Sequence, residues 1–259
     1  MNIALTTIVV FIILLPGLIY RKLYFSGVFS KQYFKQSFYE LLLGIAVPTL
    51  ILHILWIVSA KLFFNYSVNF ELLGKLLLAQ ESSIDTFKNI EENLGAILWY
   101  FLTITLMGGV IGFFCKQIVR YYKIDRKIRL FRYENIWHYI FSGEFFDFKN
   151  NGIDLIENQV EDIDFVFIDA LVETSEGTMI YDGILDDYEL SKFDSLEFIK
   201  LSEVQRRYLK NDSTKNKDPY YNIPGHIFII PFVKILNLNF TFYSLKESKK
   251  GTFKIKEVS

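Results

Sequence analysis

The 259-residue chain has a single cysteine, Cys115, which excludes an intrachain disulfide framework. Its three histidines, His53, His138 and His226, lie far apart on different predicted elements, so no Cys/His metal spacing exists. A Walker loop, a GxSxG elbow and an HExxH helix are all absent. Neither an enzymatic activity nor a cofactor is therefore expected. Acidic residues are missing from three long apolar stretches, and Lys61 is the one base within them.

Those stretches dominate the amino-terminal half. Ala96–Cys115 (AILWYFLTITLMGGVIGFFC) has no formal charge. Its length matches the ~20 apolar residues that an α-helix needs to cross ~30 Å of hydrocarbon. Lys116–Arg132 follows at once, with Lys116, Arg120, Lys123, Arg126, Lys127, Arg129 and Arg132 against Asp125 alone. A basic collar of this kind stays cytoplasmic and lies against anionic headgroups. All seven bases are expected to contact lipid.

Met1–Tyr20 is the first predicted span. Arg21 and Lys22 follow its apolar core instead of preceding it, so it reads as a retained span with its amino terminus outside. Pro16-Gly17 loosens its last turn in a way that neighbouring helices can repair. Arg21–Glu40, rich in Tyr and Phe with four bases, suits an interfacial connection. Leu41–Phe64 is the second span, kinked by Pro48 and ending near a snorkelling Lys61. Thr49 and His53 share one of its faces with Trp56 and Ala60. They mark either an intramembrane polar site or a neutral histidine bonded to a neighbouring helix. Asn65–Gly95 is net acidic and predicts two short helices on the outer surface, one started by Ser83. Three spans with the carboxyl terminus inside satisfy the positive-inside rule at every loop. Gly108 and Gly112 form a GxxxG pair with Gly109 beside it, suited to close helix packing either between copies of the chain or within one. Because three spans do not easily enclose a pore, a homo-oligomer is expected.

Residues 133–259 carry a net charge of −8. Residues 133–163 predict a short helix, Glu134–Phe141, and an acidic linker. The period then changes to two. Asp164–Thr174 places Val166, Ile168, Ala170 and Val172 on one face and Asp169 and Glu173 on the other. Thr178–Glu189 predicts a second strand bent at Gly183, and Leu196–Leu201 a third. Val204–Tyr221 reads as a polar loop. His226–Ile230 and Leu236–Tyr243 complete five strands, the last with Leu236, Leu238, Phe240 and Phe242 on one face. Lys246–Ser259 reads as a frayed tail. The fold class expected is an α+β membrane protein, three transmembrane helices (1–132) followed by a cytosolic small SH3/Sm-like β-barrel (164–245).

The motifs LLPGLIY (Leu14–Tyr20), the Trp137 helix, ETSEGTMIYDGILDDYEL (Glu173–Leu190) and IPGHIFIIPFVKIL (Ile223–Leu236) resemble a family of bacterial inner-membrane proteins of unassigned activity. That family joins N-terminal spans to a small cytosolic β-domain. By architecture alone, the chain also resembles the membrane component of the Kiwa anti-phage system. This second resemblance implies a membrane protein paired with a cytosolic effector.

Asp182, Asp186, Asp187 and Glu189 cluster on the second predicted strand. Their spacing fits no EF-hand loop, and a solvated acidic face for a protein partner is the expectation. A net-acidic module repels phosphate, so no nucleic acid is expected. The Arg206, Arg207, Lys210, Lys215 and Lys217 region is locally basic but falls in the predicted loop. Two functions follow. One is an oligomeric inner-membrane sensor or scaffold that recruits a cytosolic protein. The other is a channel or membrane-disrupting effector with Thr49, His53, Thr103 and Thr105 facing a lumen.

Overall fold

The computed structural model describes residues 3–30, 37–65, 88, 91–149, 152, 159–191, 195–211, 220–247 and 253–258. Residues 66–87, 89 and 90 of the predicted outer-surface segment, the polar segment 212–219, and residues 150, 151 and 153–158 of the predicted linker lie outside the described residues. The chain divides into two compact units, Met1–Lys123 and Ile124–Ser259.

The first unit is built from α1 (Ile3–Tyr24), α2 (Phe38–Phe64) and α3 (Leu94–Tyr121). All three are long and apolar enough to cross a membrane. Helix α2 starts before its apolar run because Ser37 and Glu40 close a capping box. The Glu40 N–H donates to Ser37 Oγ at 3.3 Å, and the Ser37 N–H donates to the Glu40 carboxylate at 2.8 Å. It ends on Asn65, which takes the left-handed conformation (φ 50°) and donates its N–H to the Ala60 carbonyl.

The glycines of α3 face α1 of the same chain. A Cβ at Gly108 would come within 2.7 Å of the Pro16 carbonyl oxygen, and one at Gly112 within 3.0 Å of Tyr20 Cα. Gly109 receives Leu23 and Ile19. Of the two uses that the GxxxG spacing allows, the structure displays packing within the chain.

The second unit opens with a helical turn, α4 (Ile124–Lys127), a 3₁₀ turn at Arg129–Phe131, and α5 (Ile136–Phe141). Seven antiparallel strands follow: β1 (Phe165–Thr174), β2 (Gly177–Leu190), β3 (Leu196–Tyr208), β4 (Tyr221–Asn222), β5 (Phe228–Pro231), β6 (Ile235–Glu247) and β7 (Phe253–Glu257). They form one curled sheet in the order β4-β3-β2-β1-β6-β7, with β5 also paired to β3. Val166, Ile168, Ala170 and Val172 point into the core as the alternation predicts, joined by Ile199, Leu201 and Phe242. Each of these side chains except the small Ala170 contributes roughly 1.5–3 kcal/mol by leaving water. Phe141 of α5 closes the core, with Trp137, Phe145 and Phe146 packed against it, so the predicted separate helix belongs to the sheet's own core.

Four expectations need correction. Among the described residues the sheet has seven strands, where five are expected. Strand β3 runs on to Tyr208 through the start of the predicted loop, because Val204 is buried and the Tyr208 hydroxyl donates to Glu176 at 2.8 Å. The predicted frayed tail includes β7, paired to β6 along Tyr243–Glu257 to Glu247–Phe253 and anchored by buried Val258. Leu236 faces solvent, because a bulge between Leu171 and Val172 shifts the register and turns Ile235 inward in its place. The bend expected at Gly183 is present, as a register shift between Asp182 and Ile184.

Candidate functional site

Three groups of polar side chains invite a functional reading. The first lies among the helices of the first unit. Pro16 lacks an N–H and disturbs the carbonyl pairing of the turn before it. Two side chains of α2 reach carbonyls in the same turn, those of Leu14 and Ile13. Thr49, almost fully buried, donates from Oγ1 to the Leu14 carbonyl at 3.4 Å, and His53 Nε2 lies 3.0 Å from the Ile13 carbonyl. A carbonyl can only accept, so Nε2 carries the proton. In the neutral ring, Nδ1 then accepts from the Tyr100 hydroxyl of α3.

One helical turn on, Trp56 Nε1 donates to Thr103 Oγ1 at 3.0 Å, and its ring meets Tyr100 edge-on at 4.6 Å. The structure therefore brings Thr49 and His53 together and adds Trp56, Tyr100 and Thr103. Each of these groups bonds a neighbouring helix. Tyr100 was not singled out in the sequence, and nothing marked it beyond being a hydroxyl within an uncharged run.

The second group is the basic collar, which the fold splits. Within the first unit, Lys116 Nζ donates to the Ser26 carbonyl at 2.8 Å and to its hydroxyl at 3.0 Å, and the Arg120 guanidinium lies 5.4 Å from the Phe29 ring. Within the second, Arg126 is 8% exposed and bridges Glu144 at 3.1 Å and Asp147 at 2.6 Å. Arg132 stacks 3.6 Å over the Phe148 ring. Asp125 is fully buried and accepts from the Tyr139 hydroxyl at 2.8 Å. Lys127 and Arg129 face solvent, and Lys123 takes a left-handed φ of 54°. The expectation that all seven bases contact lipid is corrected for Arg126, which is buried and held by two acids further along the chain; Arg132 is half-buried against the Phe148 ring.

The third group is the acidic run on β2, and its members part company. Asp182 is 4% exposed and stands opposite Asp169 of β1, which in turn accepts from Asn239 of β6 at 2.8 Å. Burial, with the Asp169 charge next, pushes the Asp182 carboxyl up to about 6. Arg207 and Tyr220 pull it back in part. Cross-strand pairing continues this polar rung from Asn239 through Asp169, Asp182 and Gln205 to Asn222.

Beyond the bulges, Asp186 accepts from Ser202 at 2.8 Å and Asp187 pairs with Lys200 at 2.9 Å. The hydrogen bond from Lys200 holds the Asp187 carboxyl below the usual carboxylate range. Asp186, Asp187 and Glu189 are exposed. Asp182 therefore leaves the predicted acidic face: it is buried between β1 and β3, while Asp186, Asp187 and Glu189, past two register shifts, stay at the surface. Among the described residues, no three His, Cys, Asp or Glu side chains gather as metal ligands. No protein-family model, curated protein or solved structure matches the chain.

Proposed function

We propose that the chain is a non-enzymatic inner-membrane sensor or scaffold that oligomerises and recruits a cytosolic protein. One setting for this is anti-phage defence, in line with the architectural resemblance noted above. Asp186, Asp187 and Glu189 carry this reading, because they stay at the surface of β2 while the polar groups of the helices are turned toward one another. A partner with a basic surface fits the net charge of the module.

A conducting role would need Thr49, His53 and Thr103 to line a lumen. Their bonds to Leu14, Ile13 and Trp56 favour the scaffold. Crosslinked co-purification from native membranes tests the reading. Recovery of a defined protein should fall at least several-fold in low salt when Asp186 and Asp187 become Lys. Unchanged recovery, or cleavage of the carboxyl-terminal half by protease outside intact spheroplasts, would overturn it.

A further inference from the structure

We infer that Lys127–Phe131 is a second membrane contact, a short wedge lying in the headgroup and upper acyl region of an anionic bilayer. The inference rests on the reading of the apolar helices as spans. In the second unit most large aliphatic side chains go to the core of the sheet. The 3₁₀ turn Arg129–Phe131 does the reverse, as do single residues elsewhere in the unit such as Val233 and Ile255. Here, though, the exposed apolar side chains are neighbours in sequence with cations beside them. Leu130 is 86% exposed, and Ile128 and Phe131 on either side of it are exposed as well. Three neighbouring large apolar side chains in water are unusual for a surface without a partner.

Their flanks name the partner. Arg126 and Arg132, at the two ends of the segment, are turned to Glu144, Asp147 and the Phe148 ring. Lys127 and Arg129, interleaved with the apolar side chains, stay in solvent. Apolar side chains alternating with free cations match the boundary between acyl chains and anionic headgroups. Covalent reach keeps the segment there. Ile128 follows the end of α3 at Tyr121 by seven residues, at most ~25 Å of fully extended chain.

The test uses the full chain with Cys115 replaced by Ser. An environment-sensitive fluorophore is placed on Leu130→Cys, with Leu106→Cys on α3 and Lys254→Cys on β7 as references, all three exposed. The vesicles are phosphatidylcholine with a minority of phosphatidylglycerol, and the quencher is lipid brominated at shallow acyl positions. The Leu130 label should emit blue-shifted and be quenched several-fold more than the Lys254 label. Replacing Lys127 and Arg129 with Gln, or omitting phosphatidylglycerol, should reduce the Leu130 quenching and leave that of Leu106 unchanged.

Quenching at Leu106 with none at Leu130 would overturn the wedge and leave the spans standing. Absence of quenching at both would overturn the two readings together. A blue-shifted but unquenched Leu130 label would mean that protein covers the segment, and would also overturn the wedge.

Discussion

The two units are built for opposite solvents. In the first, large apolar side chains such as Phe11, Leu62 and Leu106 point outward, while Thr49, Ala60, Gly108 and Gly112 are buried. In the second, Ile168, Ile199 and Leu201 are sealed inside, and Asp186, Asp187, Lys127 and Arg129 face water. The difference lies in what holds each unit together. The sheet is held by removing apolar area from water. Helices that cross lipid gain nothing that way, so on the proposed reading of the three apolar helices as spans, close backbone approach and hydrogen bonds between helices hold them. The Gly112–Tyr20 approach and the His53 bridge are those two devices.

The largest test of this contrast is in the second unit, where burial makes polar groups costly. Arg126→Ala removes the buried guanidinium that Glu144 and Asp147 share and should destabilise the unit by about 3–5 kcal/mol. With Trp56 and Trp99 replaced by Phe, fluorescence of Trp137 during urea unfolding reports this unit alone.

Asp182 sharpens the same point with a sign. Its folded carboxyl titrates near 6, above its ordinary value, so it supports the fold at low pH and that support is lost as pH rises through about 6. Asp182→Asn should therefore stabilise the unit by about 2–3 kcal/mol at pH 7.5 and have almost no effect at pH 4. A destabilised variant at pH 7.5 would show that the ionised carboxylate is wanted where it lies.

The smallest effect belongs to the helices. Gly112→Leu forces side-chain atoms against the Tyr20 backbone and should cost about 1–3 kcal/mol. Val110→Leu, on the exposed side of the same helix, should leave the thermal midpoint in detergent unchanged. Equal losses at the two positions would erase the distinction between inner and outer faces.

The extent to which the sequence was legible follows the range of the forces. The three apolar helices could be read because charge-free runs and flanking bases are local signals, and so was the β1 alternation. The start of α2 was misplaced by three residues, although Ser37 and Glu40 spell a capping box in plain sight. Leu236 faces the side opposite to the one its alternation indicates because a bulge shifts the parity by one, and only the partner strand shows where it falls; the burial of Asp182 likewise depends on its neighbours in β1 and β3. Arg126 was read as a lipid contact because its acids, Glu144 and Asp147, lie some twenty residues away across a turn. Strand β7 went unseen because Lys254 and Lys256 make its segment look like a solvated tail.

Those two lysines have a use at the rim of an open sheet. A curled sheet that does not close offers its last strand as a template for any passing backbone. Here the template is studded with ammonium groups, and Lys254 already faces Lys246 across the ladder. A second copy adding there strand to strand would stack like charges along the seam. Fibre-like growth by strand addition at β7 is thereby disfavoured.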